Sequence, residues 1–132
     1  MMKKYILVSV LTLFTAQSFA ATQTATATQI RPKDCAVNPD IERNARPSTP
    51  HNMPLPQFGQ GIIGWATGPE GAQHKLDSVN KTDIQNYKSQ GVSLAMIHEW
   101  QTFYENETKR NSCNPTAPIR AQLMQKIASL WN

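Results

Sequence analysis

The sequence has few cysteines, few aromatic residues and little charge. Of its 132 residues, 2 are cysteines, 8% are aromatic and 17% are charged. The three histidines are dispersed, and neither cysteine has a Cys or His at the short spacing of a zinc motif. The sequence therefore predicts no metal site, and it gives no indication of a cofactor.

Long apolar runs are also missing, except near the N-terminus. Residues 5–14, YILVSVLTLF, follow a pair of lysines and precede small residues. This pattern is typical of a secretory signal peptide, whereas a membrane-spanning helix needs about 20 apolar residues. We expect a signal peptide at residues 1–20, cleavage between Ala20 and Ala21, and an exported protein, periplasmic or secreted, with no membrane anchor after cleavage.

The charges of the mature chain are nearly balanced. Removing the two lysines of the signal peptide from the 13 basic residues leaves 11, against 9 acidic residues. The basic residues are scattered among acidic ones, whereas nucleic-acid-binding proteins concentrate them on one face. Nothing in the charge pattern indicates a nucleic-acid partner.

The two cysteines are Cys35 and Cys113. An oxidising compartment favours their pairing in an exported chain, although two free thiols are the alternative. We expect a disulfide that ties the N-terminal segment to the folded domain.

Residues 21–57 have an unusual composition. They contain six of the nine prolines, no aromatic residue and no sustained apolar period. Such a segment buries too little apolar surface to offset the entropy lost on ordering. We expect a flexible, low-complexity arm here, followed by one folded domain at residues 58–132.

The start of this domain carries two short helical patterns. Pro69 fits the first turn of a helix over roughly 69–78. A capping box that begins at Thr82 starts a second helix over roughly 83–90, which a glycine ends.

Two longer helical patterns follow. Ser93 is a favourable N-cap, and a last helix begins near Thr116. The third helix has apolar and aromatic residues at helical spacing, namely Leu94, Ile97, Trp100 and Tyr104. No hairpin signal is of comparable strength. The sequence predicts an all-α fold, a small bundle of about four helices.

Five of the six glycines lie in residues 58–71, FGQGIIGWATGPEG. Gly59, Gly61 and Gly64 have the spacing of a dinucleotide-binding loop, but the prolines upstream argue against the strand that such a loop requires. We interpret these glycines as sites of close backbone packing where the chain leads into the bundle. The alternative is a ligand or peptide groove beside Trp65.

One carboxylate continues an aromatic helix face. Trp100, Tyr104 and Glu107 share that face, and a buried carboxylate needs a partner. We expect Arg120 to lie within salt-bridge distance of Glu107, with Arg110 as the local competitor, and we favour a structural ion pair. If the protein is an enzyme, the candidate catalytic residues are Glu107 as general acid or base, Arg120 as an anion clamp, and Tyr104.

Three stretches, FGQGIIGWATGPEGA, GVSLAMIHEWQTFYENE and NPTAPIRAQLMQKIASLW, together resemble an uncharacterised bacterial domain family of unknown function. The similarity covers Phe58 to Trp131. The resemblance implies a small exported protein or the C-terminal region of a large polymorphic-toxin-like protein, and it supplies no catalytic residues. The family has proline where this chain has Cys113.

Two classes of function remain. The preferred one is an exported, non-catalytic helical interaction module that binds another envelope or extracellular protein through a surface near Trp65 and the glycines. The alternative is a small secreted effector or toxin-like enzyme, a hydrolase that acts on an envelope or cellular polymer. The small domain and the lack of a recognisable catalytic set favour the first.

Overall fold

A computed structural model describes residues 34–132, and the predicted signal peptide, its cleavage site and the start of the arm lie outside this range. A 3-10 turn and a π-helical segment come first, at Pro50–Asn52 and Gln57–Ile63. Four helices follow: α1 (Gly68–Ser78), α2 (Lys81–Ser89), α3 (Leu94–Arg110) and α4 (Ala117–Ser129). The predicted all-α fold with four helices is confirmed. None of the helices between residues 34 and 132 is long and apolar enough to cross a membrane.

Local capping explains where α2 and α3 begin. α3 starts after Ser93, whose hydroxyl accepts a backbone N–H of the first turn, as predicted. α2 starts two residues before the predicted position, because Asn80 rather than Thr82 is its cap. The side-chain oxygen of Asn80 accepts the backbone N–H groups of Thr82 and Asp83, and the Asp83 carboxylate accepts the N–H of Asn80.

An aromatic cluster fills the centre of the bundle. Trp100 of α3 is fully buried, with 0% exposure. The aromatic rings around it pack against it or against one another, mostly edge to face, with centroids 5.3–6.0 Å apart. Such pairs stabilise by about 0.5–1.5 kcal/mol beyond their buried area. The other members of the cluster are Phe58, Trp65, Phe103 and Tyr104.

The glycine-rich segment forms the π-helix and packs tightly at one position. A Cβ on Gly59 would lie 2.1 Å from the Trp65 ring, whereas a Cβ on Gly61 would meet nothing within 4 Å. The Tyr87 hydroxyl donates a hydrogen bond of 2.9 Å to the carbonyl of Ile63, which fixes the end of this segment. The close-packing interpretation therefore holds for Gly59 and not for Gly61.

Residues 34–57 differ from the predicted flexible arm. They are ordered, and residues 36–48 run antiparallel along α3, so the domain begins before the predicted boundary at Phe58. Hydrogen bonds mark this course at four places, between Ala36 and Ser112, Asn38 and Arg110, Asn44 and Asn106, and Ser48 and Trp100.

Long-range contacts give this segment its order. The predicted disulfide between Cys35 and Cys113 is present and joins residues 78 positions apart. At the other end, Pro50 is buried, and Met53 and Leu55 pack against the core. These contacts offset the entropy cost of ordering, although the segment has no apolar period of its own.

Candidate functional site

Glu107 is buried, with 4% exposure, and it is the one charged residue so buried among residues 34–132. Arg110 donates two hydrogen bonds to its carboxylate, of 2.8 and 3.0 Å, and Nε of Arg43 lies 3.3 Å from Oε1. The predicted salt bridge to Arg120 is wrong. Arg110 lies three residues after Glu107 on the same helix. Arg43 belongs to the segment for which the sequence predicted a flexible arm.

Arg110 and Arg43 shift the pKa of Glu107. The hydrogen bonds from Arg110 lower the pKa of Glu107, and the charges of Arg110 and Arg43 act in the same direction, whereas burial alone would raise it. A general acid at neutral pH needs a raised pKa and contact with substrate. The lowered pKa and the burial of Glu107 argue against a general acid, and its ion pair is with Arg110 and Arg43 instead of the predicted Arg120.

Arg120 lies inside an aromatic and carbonyl cage. It donates hydrogen bonds of 3.3 Å to the Tyr104 hydroxyl and 3.2 Å to the carbonyl of Ala66. Its guanidinium carbon is 4.6 Å from the centroid of the Trp65 ring, within cation–π range. Burial raises the pKa of Tyr104, against the opposing effect of Arg120, and the ring is only 5% exposed. Tyr104 is buried with its hydroxyl engaged, whereas the half-buried Arg120 keeps a buried Nε that has no hydrogen-bond partner among residues 34–132.

The predicted recognition surface at Trp65 is not a surface. Trp65 is 2% exposed, with Gly59 buried beneath it. Gly64 is half-buried with a φ of 86°, and of the three predicted binding glycines Gly61 alone is exposed. The Trp65 side chain, which the sequence analysis placed at a binding surface, is part of the core.

An open groove of about 600 Å³ lies between α3 and residues 44–48. Its helical wall consists of His98, Glu99, Thr102 and Phe103. Phe103 is 7% exposed, and the other three residues are exposed. The groove therefore combines one aromatic side chain, deeply set, with a polar rim.

The second wall of the groove is held in place at both ends. The carbonyl of Ser48 accepts the indole N–H of Trp100 at 3.0 Å. The backbone N–H of Asn44 donates to the Asn106 side chain at 3.0 Å, and that side chain donates to the carbonyl of Glu42 at 3.1 Å. The groove is preformed, and sequence reasoning missed it because this wall was assigned to a flexible arm.

The groove offers exposed polar groups rather than a catalytic set. His98 and Glu99 are adjacent on α3, so their side chains leave the helix about 100° apart. Neither residue has a salt-bridge partner within the part of the chain that the structure describes. Across residues 34–132, no group of three or more His, Cys, Asp or Glu side chains is placed to hold a metal ion.

Comparison with known proteins identifies the domain. The profile described as "Domain of unknown function (DUF4951)" matches residues 33–131. The chain belongs to this family. An NMR structure of a protein from Acinetobacter baumannii is similar to the DUF4951 chain, with 52% identity and a TM-score of 0.63 over 73% of this chain and 90% of the other. No curated protein matches this chain. The profile includes residues 44–48, so both walls of the groove belong to the DUF4951 domain.

Proposed function

We propose that this DUF4951 protein is an exported, non-catalytic interaction module whose groove holds a segment of another envelope or extracellular protein. The observation that carries the proposal is the preformed groove between α3 and residues 44–48. Because hydrogen bonds hold both ends of the 44–48 wall, binding a partner costs little ordering entropy.

The composition of the groove suits a protein partner. Interfaces place aromatic side chains at a desolvated centre and polar groups at the rim. Phe103 occupies the deep position, and Thr102 and His98 lie on the exposed helical wall.

The disulfide supports export. Disulfides persist in oxidising compartments and are rare in the cytosol of ordinary bacteria. Cys35 and Cys113 are bonded and leave no free cysteine among residues 34–132.

The alternative, a secreted hydrolase, has less support. Glu107 and Tyr104 are buried and engaged by arginines. The titratable groups that do line the groove, His98 and Glu99, point in different directions from the helix. An enzyme would need an acid–base set in contact with its substrate, and the groove supplies none.

Site-specific photo-crosslinking tests the proposal. A photoreactive residue replaces Thr102 in the groove, and a matched variant carries it at Gln125, an exposed residue of α4 in a separate depression. We expect one discrete protein adduct from Thr102 in the native host, which excess unlabelled protein removes, and no such adduct from Gln125.

Either of two experiments could overturn the proposal. In the crosslinking experiment, the contradicting result is the absence of a specific adduct at Thr102, or the same adducts at Thr102 and Gln125. In an expression experiment, it is growth arrest that a folded His98→Gln or Glu99→Gln variant relieves, since this would show chemistry in the groove.

A further inference from the structure

A smaller, partly open cavity of about 210 Å³ adjoins the groove and is lined by Arg43, Asn44, Arg46 and Phe103. The last three of these also line the groove, so the cavity, here termed the arginine cavity, is continuous with it. We propose that the arginine cavity receives the carboxylate of an acidic side chain in the bound segment, and that the partner presents an acidic peptide. This inference rests on the proposed function and adds the chemistry of the partner.

The arginine cavity has an excess of positive charge. Arg43, Arg46 and Arg110 supply three guanidinium groups in this region, and Glu107 is the carboxylate that pairs with two of them. The difference is two positive charges at the arginine cavity itself, before Glu99 of the adjoining groove is counted. Arg46 is exposed and has no salt bridge to any residue from 34 to 132. An added carboxylate would reduce the excess by half.

The donors around the cavity match a carboxylate. A guanidinium has five N–H groups in a planar fork that fits two carboxylate oxygens. Nε of Arg43 lies 3.3 Å from Oε1 of Glu107, and the Arg43 side chain is 63% exposed, with no side-chain hydrogen bond in the described part of the chain. The side chain of Arg46 and the side-chain amide of Asn44 have no hydrogen bond in that part of the chain either.

Phe103 positions one of the two guanidinium groups. The guanidinium carbon of Arg43 is 5.9 Å from the centroid of the Phe103 ring, and the Glu107 carboxylate holds its Nε side. These two contacts favour one orientation of a side chain that is otherwise 63% exposed.

A single acidic side chain fits this end of the groove better than a polyanion does. Glu99 lines the groove four residues before Phe103 on α3, which is about 6 Å along the helix axis. Its carboxylate repels a second negative charge at that distance. The arginine cavity and the Glu99 end of the groove are both satisfied by one kind of peptide. It places an acidic residue over the cavity and a neutral or basic residue toward Glu99. An acidic polysaccharide or a polyphosphate does not.

NMR titration of the isotope-labelled whole chain tests this inference. The probe is the peptide acetyl-Ala-Asp-Ala-amide, with acetyl-Ala-Asn-Ala-amide as its uncharged control. We expect the Asp peptide to shift the signals of Arg43 Nε–H, Asn44 and Phe103 saturably, with the Asn peptide binding about tenfold more weakly because it loses the charge-assisted hydrogen bonds.

Two variants assign the binding to the cavity. Arg46→Gln removes a guanidinium that has no structural salt bridge, and we expect about a tenfold loss of affinity for the Asp peptide. Lys109→Gln removes an exposed cation of α3 outside the cavity and should leave the affinity unchanged.

Equal binding of the Asp and Asn peptides, or an unchanged affinity in Arg46→Gln, would overturn the inference. So would inorganic phosphate or glucuronate binding as tightly as the Asp peptide, since the cavity would then not select a peptide carboxylate. The crosslink at Thr102 does not depend on the arginine cavity, so the proposed function can survive this failure.

Discussion

Trp100 in α3 donates its indole N–H to the carbonyl of Ser48, at 3.0 Å. The donor belongs to the centre of the aromatic core, and the acceptor belongs to the wall of the groove. A segment without an apolar pattern is thereby joined to the most buried part of the domain. The disulfide at Cys35 holds the other end of the same segment.

The disulfide should stabilise the domain and the outer part of this segment. For its separation of 78 positions, the chain-entropy estimate is about 4.5 kcal/mol as an upper value. We expect the Cys35→Ser/Cys113→Ser variant to unfold at lower denaturant concentration. Hydrogen exchange should become faster at residues 36–42, while the indole N–H of Trp100 stays protected. An unchanged unfolding midpoint would show that the bond contributes nothing.

Gly59 and Gly61 provide a matched pair of substitutions. Gly59→Ala places a methyl group against the Trp65 ring, so we expect a loss of about 1–3 kcal/mol or more in the free energy of unfolding. Gly61→Ala adds a methyl group in open space and should change stability by less than about 0.5 kcal/mol. Urea denaturation measures both, and equal effects would contradict the packing of Gly59.

Glu107→Gln should lower stability in a pH-dependent way. The pKa of Glu107 is lower in the folded than in the unfolded chain, so its stabilising effect is complete above the unfolded value of about 4.3 and is lost as the pH falls through the folded value. We expect a loss of about 2 kcal/mol at neutral pH that shrinks below the unfolded pKa.

The control for this pH dependence is Glu105→Gln. Glu105 is exposed and accepts a hydrogen bond from Gln101, so its removal should have little effect at any pH. Denaturant titrations between neutral and acidic pH make the comparison. A Glu107→Gln difference that stays constant as the pH falls would exclude ionic pairing as its cause.

Arg120 and Glu107 should act independently, because each has its own partners. Arg120→Met removes the contacts with Trp65, Tyr104 and Ala66, and we expect a loss of about 1–2 kcal/mol. In the double variant with Glu107→Gln the losses should add within about 0.5 kcal/mol. A larger coupling energy in the double-mutant cycle would contradict this independence and indicate a direct interaction between Arg120 and Glu107.

The helices could be predicted because their signals are local. Ser93 and Pro69 act within one turn, and the apolar period of α3 lies in consecutive residues. The start of α2 was missed by two residues, since Asn80 and Thr82 are both good caps and only the structure shows which one is used.

The groove could not be predicted, because its second wall depends on contacts between distant residues. Ser48 and Trp100 are 52 positions apart, and Ala36 and Ser112 are 76 apart. Composition alone made residues 34–57 resemble a flexible arm. Of the two partners of Glu107, Arg110 is local and was the competing candidate, whereas Arg43 belongs to that segment and could not be predicted.

The most direct test of the groove as a binding site is the affinity of the crosslinked partner for groove variants, measured by isothermal titration calorimetry. Thr102→Arg places a long cationic side chain in the groove, and Gln125→Arg places the same side chain on α4. We predict that Thr102→Arg weakens binding by more than about tenfold, roughly 1.4 kcal/mol, and that Gln125→Arg binds like the unmodified protein. Equal affinities of the two variants, with both folded, would contradict the groove as the binding site.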